Sequence, residues 1–227
     1  MKNRRIRLLS VALMLLLALL MTAGCSETRE NLVYTPAGGA QRLEGPVTGA
    51  LIPLVDVREQ AKVYPKQVIM YTDYSGNVSY DINDRTVADV LNDALSRDLS
   101  DMGVKLVQTG VSGPLDRDSA AGIRSKIAAS YPDVKVAFGG RIKEFMAKSV
   151  RKTLTTDVHV SAALQFYILD MQSGDVYWSD YKTEWNDVKA SVDHNYMIEQ
   201  LDQAIANLMK NVRDNQSMRD LLKKKAS

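Results

Sequence analysis

A single cysteine, Cys25, stands in the 227 residues. No disulfide can close within one chain, so no framework of cross-links holds this fold. Histidine is nearly as scarce, with only His159 and His194. With so few ligands and no ligand spacing, a zinc centre is not expected. An excess of charge of one sign is also missing. The net charge is +2, but Lys2, Arg4, Arg5 and Arg7 crowd the first 24 residues without an acid. Setting those four aside leaves 25 basic against 27 acidic residues, and the case for a nucleic-acid partner goes with them. Catalytic motifs are absent too. There is no G-x-S-x-G elbow, since Gly110-Val111-Ser112-Gly113 has the wrong spacing. There is no phosphate loop and no H-E-x-x-H pair. No catalytic, cofactor-binding or metal-binding residue is therefore expected, and no enzymatic activity.

What is there begins with one long apolar run, Leu8 to Met21, behind the basic start. A comfortable membrane span needs ~20 apolar residues, so the run is short for an anchor helix and reads as a secretory signal. Small residues follow, and Thr22-Ala23-Gly24-Cys25 resembles a bacterial lipobox. That resemblance implies cleavage before Cys25, a diacylglyceryl group on its thiol and a further acyl chain, such as palmitate, on the freed amine. Two or three chains anchor stably where one holds only marginally. Ser26 in place of Asp implies sorting to the outer membrane, facing the periplasm. Residues 1–24 are thus a signal peptide, and 25–45 a lipidated cysteine with a flexible, Pro- and Gly-containing tether spanning up to ~70 Å. The alternative, that Leu32-Val33-Tyr34 docks on the domain as an edge strand, stays open.

Residues 46–227 read as one domain. Short β runs occupy Ala50 to Arg58, Lys66 to Thr72 and Val78 to Ile82. Val87, Val90, Leu91, Ala94, Leu95, Leu99 and Met102 then fall three or four apart, predicting a helix capped by Asn83 or Asp84 and ended by Gly103. A strand over Val104 to Gln108 and a helix from Asp116 or Asp118 to Tyr131 follow. Alternation from Val134 to Lys143, and again from Leu154 to Leu169, predicts two long strands. Gly139-Gly140 marks a bulge or a close backbone approach. Gln172 to Asp175 is a turn, Val176 to Trp185 a return strand, and Met197 to Val212 a helix. The tail after it reads as polar. One-faced strands and one-striped helices predict an α+β two-layer sandwich, with a mixed or antiparallel sheet and helices packed on one face.

Two sets of side chains are candidates for an interaction surface. Arg141, Lys143, Arg151 and Lys152, with Lys148, lie around the join of the long strands. They would meet anionic polymers or lipid head groups, or simply solvate a hairpin. Tyr177, Tyr181 and Trp185 share one face of the return strand, as a partner-binding surface or as sheet packing, with Trp178 on the other face.

The order of lipobox, tether, a strand ending Val55-Asp56-Val57-Arg58, amphipathic helix Asp84 to Gly103, long hairpin and closing helix from Val134 is similar to the YajG-type envelope lipoproteins of Gram-negative bacteria. The resemblance implies a non-enzymatic accessory that binds an envelope protein partner and is held to the membrane by its lipid. Only Cys25 maps onto a functional motif residue. Two other roles stay open. One is a ring-forming homo-oligomeric subunit of a secretion, flagellar or polysaccharide-export assembly. The other is a carrier of a small apolar or lipid ligand.

Overall fold

The computed structural model describes residues 32, 34–35, 42–73, 76–81 and 85–226. The signal peptide and Cys25 lie outside the described residues, as do the cap candidates Asn83 and Asp84. The strands are β1 (Val47–Leu51), β2 (Val55–Asp56), β3 (Gln67–Asp73), β4 (Gly76–Asp81), β5 (Val104–Val107), β6 (Val136–Arg151), β7 (Thr156–Asp170) and β8 (Val176–Lys189). The helices are α1 (Val87–Asp101), α2 (Ala120–Ser130), α3 (His194–Arg213) and α4 (Gln216–Ala226).

β6 organises the sheet. One of its edges pairs antiparallel with β7 from Val136 to Arg151. The other takes three parallel neighbours in turn: β1 at Val136 to Phe138, β2 at Arg141 and Ile142, β3 at Ala147 to Val150. β5 extends β1, and β4 folds back on β3. Among the described residues β8 pairs only with β7, so its outer edge is a rim of the sheet.

A register shift between Ile142 and Glu144 bulges β6. Before it, Val136, Phe138 and Ile142 point into the main core; after it, Phe145 and Ala147 do. The inward side therefore changes from even to odd numbers. This is why the alternation in the sequence breaks at Lys143 while the strand itself runs on to Arg151. Gly139 and Gly140 lie before the bulge and mark close approach. A Cβ on Gly140 would stand 2.3 Å from the Gln165 carbonyl oxygen, and one on Gly139 would stand 2.8 Å from the Leu115 Cβ.

α1, α3 and α4 cover one face of the sheet. Their stripes, Leu91, Leu95, Leu201, Ile205, Leu208 and Leu222 among them, close over Phe138, Phe145 and Phe166. The rings of Phe138 and Phe166 stack with centroids 6.2 Å apart. The α+β sandwich is thus the observed architecture. α2 adds a patch on the opposite face, where Ile123 and Ile127 pack on Ala50, Ala137, Tyr167 and Leu169. These sheet residues alternate with those of the main core.

α1 is capped by Thr86, not by Asn83 or Asp84. Its hydroxyl accepts from the Asp89 backbone N–H at 3.1 Å, and the Asp89 carboxylate accepts from the Thr86 N–H at 2.9 Å. This reciprocal box satisfies two backbone donors that the first turn leaves orphaned. Gly103 ends the helix at a φ of +97°, a conformation glycine adopts without cost. The tail read as polar is α4, with Met218, Leu221, Leu222 and Lys225 buried.

Candidate functional site

The basic set is less basic in three dimensions than in sequence. Arg141 and Lys143 lie inside β6, not at the join of the strands. Arg141 forms an ion pair with Asp116. The Asp116 carboxyl is held below its ordinary range by the Ser119 backbone N–H first and by Arg141 in addition. Lys143 Nζ sits 2.9 Å from Asp180 Oδ1, and Lys152 pairs with Asp157. Arg151, exposed at the end of β6, lines a shallow cleft with Lys152 and Leu154 at the hairpin tip. Beyond the patch under α2, the face of β6, β7 and β8 turned away from α1, α3 and α4 carries both signs. Lys182 Nζ lies 2.9 Å from Glu184 and 3.5 Å from Glu144, and His159 Nδ1 is 2.7 Å from Asn186 Oδ1. Such exposed pairs add little stability, but they cancel the field that would gather a polyanion.

The aromatic set divides. Tyr181 and Trp185 pack against the main core beneath α3, and the Trp185 indole N–H donates to Gln200 Oε1 at 2.9 Å. Burial pushes the Tyr181 hydroxyl up from its ordinary pKa, against a smaller opposite pull from the neighbouring Ser179 and Asn215 side chains. Tyr177 and Trp178 at the start of β8 remain 40% and 46% exposed. They border an open cleft of about 230 Å³ with Val176, Asn215 and Ser217. Trp185→Ala is accordingly expected to cost about 3 kcal/mol, at the low end for removing a large aromatic. Trp178→Ala should stay within about 0.5 kcal/mol of the parent. Urea unfolding of the two variants checks the difference; equal losses would put Trp185 outside the core.

Three buried charged clusters are absent from the sequence reading. Arg213 Nη1 lies 2.5 Å from Asp98 Oδ2 and 3.2 Å from the Tyr34 hydroxyl, which in turn donates to Asp98. Tyr34 and Leu32 are both buried against this side of the core. The stretch read as a flexible tether is therefore docked at those two residues, and again where the Leu43 N–H donates to the Met102 carbonyl at 2.9 Å. Arg58, also buried, grips Asp56 at 2.7 Å and donates to the carbonyls of Phe145, Gln67 and Pro65. Lys225 Nζ lies 2.8 Å from Asp170 Oδ1 and 3.1 Å from Gln172 Oε1. A signal for two of these existed. Asp98 stands between Leu95 and Leu99 on the apolar stripe of its helix, and Lys225 follows Leu221 and Leu222 at the same spacing. A charge on an apolar stripe marks a buried partner.

Among the described residues, no group of three or more His, Cys, Asp or Glu side chains could hold a metal ion. No described helix is long and apolar enough to cross a membrane.

No family model matches the chain, and no curated protein matches it in sequence. Several solved structures align with it at low identity. A DUF330-family protein from Xanthomonas campestris is 8% identical, with 86% of this chain and 93% of that chain covered and a TM-score of 0.49. A lipoprotein from Neisseria meningitidis is 13% identical over 73% of this chain and 99% of that chain, with a TM-score of 0.37. A PelC dodecamer from Paraburkholderia phytofirmans is 11% identical over 79% of this chain and 96% of that chain, with a TM-score of 0.38. No residue role is carried across at these similarities.

Proposed function

We propose that the chain is an outer-membrane lipoprotein of the YajG type, anchored through lipid on Cys25 and facing the periplasm. Its α+β domain serves as a non-catalytic accessory that binds an envelope protein. The observation that carries this reading is the order at the N-terminus: basic start, short apolar run, then Thr22-Ala23-Gly24-Cys25. Anchoring confines the domain to a surface and so raises its effective concentration near membrane partners.

The test labels the full chain with an alkynyl fatty acid in a Gram-negative host and then separates inner from outer membrane. The parent is expected to carry label and to sediment with the outer membrane. Cys25→Ser is expected to lose the label and to accumulate as a longer precursor. Equal labelling of the two would end the anchor reading. In-cell cross-linking of the labelled parent, read by mass spectrometry, then tests the accessory role; capture of no envelope protein would count against it.

A further inference from the structure

We infer that β8 is the seam of a homodimer, pairing antiparallel with β8 of a second copy about a two-fold axis at Thr183. β8 is fourteen residues long, and nothing among the described residues pairs with its outer edge. Typical strands have ~5–6 residues, so this is a long run of backbone donors and acceptors to leave open.

The occupant is identified by the side chains. In an antiparallel pair, directly opposed residues share a face of the sheet. A two-fold axis at Thr183 opposes Lys182 to Glu184 twice, once on each side of the axis. It also opposes Trp178 to Val188 twice. Trp178 and Val188 are 46% and 60% exposed, and they are the exposed large apolar side chains that β8 carries on the face turned away from α3. On the helix side the same axis sets Tyr181 against Trp185 and Tyr177 against Lys189, an aromatic pair and a cation over a ring. Neighbouring registers lose these matches. An axis at Lys182 sets that lysine against itself and Asp180 against Glu184. An axis at Glu184 repeats the fault with the opposite sign. An axis at Tyr181 opposes Asp180 to Lys182 but leaves Trp178 facing Glu184 and Val188 without a partner. The charges along the rim repel a shifted strand and accept this one, so they specify a register as well as guarding an edge.

The pairing goes beyond the accessory role proposed above and needs no lipid. Its test uses the full chain in membranes. Thr183→Cys places two thiols across the axis, where opposed strand residues lie ~4.5–5.5 Å apart at Cα, within disulfide range. Copper–phenanthroline oxidation is expected to give a reducible dimer, with the disulfide peptide joining position 183 of both copies. The unsubstituted chain and Asp180→Cys serve as controls. Position 180 would lie ~20 Å from its twin and should stay monomeric. Adding Lys182→Glu to Thr183→Cys should lower the dimer yield several-fold, and adding Glu184→Lys as well should restore it. A monomer from Thr183→Cys would overturn the inference. So would equal cross-linking at positions 180 and 183, or a disulfide to a different protein.

Discussion

Arg213→Ala is expected to cost about 3–5 kcal/mol of folding stability, a large share of what a single domain holds. Arg213 on α3 and Asp98 on α1 are buried together, and Tyr34 is the third member of the cluster. Truncating the arginine strands the carboxylate under the helices with only the tyrosine hydroxyl to satisfy it. The cost is mostly that stranded charge, not the loss of an attractive pair. The Asp98 carboxyl is pushed up by burial, against the pull of Tyr34 and Arg213. A folded-state pKa above the unfolded value gives stability that is full below the ordinary carboxylate range and declines as pH rises through the folded pKa. Without Arg213 the push is stronger. The deficit should therefore be largest near pH 7 and smaller near pH 4.5, where Asp98 can take up a proton. Tyr34→Phe, which removes the hydroxyl's hydrogen bonds with Asp98 and Arg213, should cost about 1–2 kcal/mol. Urea unfolding at both pH values checks the set; an Arg213→Ala loss under about 1 kcal/mol would mean that water reaches Asp98.

Lys225→Met is expected to be nearly as costly at neutral pH, about 3 kcal/mol, with a different dependence on acid. Burial alone would raise the Asp170 carboxyl. The Lys225 ammonium and the backbone N–H groups of Gln172 and Ser173 overturn that and hold it below its ordinary range. A depressed pKa gives stability that is present above the unfolded value, near pH 4, and is lost as pH falls through the folded value. Methionine fills the space of the lysine stem without its charge, so the raising effect of burial then competes only with the two backbone donors. The variant should fall furthest behind the parent at pH 7 and approach it as acid protonates Asp170 in both. Thermal unfolding from pH 7 down to pH 3 reads this convergence; a gap that stayed constant would assign the loss to packing of α4.

The legible parts of the fold were those with an uninterrupted period. The stripes of α1 and α3 and the alternation of β7 depend on which side chains face the core, and that is written residue by residue. Other parts depended on distant partners. The bulge at Ile142 and Glu144 reversed the inward parity of β6, so the alternation legible in the sequence stops at Lys143, eight residues short of the strand's end. α4 carries three lysines in a row beside Leu221 and Leu222, and one of them is buried only because Asp170 waits at the far end of β7. The cap of α1 fell to Thr86, since the acceptor that completes the box is Asp89, three residues on. At the candidate surface, spacing placed Tyr177, Tyr181 and Trp185 on one face correctly. Which of them α3 would cover is a matter of packing, and the salt partners of Arg141 and Lys143 come from other elements.

The burial of Leu32 sets the length of a leash. Leu32 is the seventh residue after Cys25. Seven residues reach at most ~25 Å even when fully extended, about a third of what a free 26–45 segment would allow. With lipid on Cys25, the domain would ride close against the bilayer, its Leu32 and Tyr34 side turned towards the head groups. Partners would then have to come down to the membrane surface to be met, and a target standing deep in the periplasm would lie out of range.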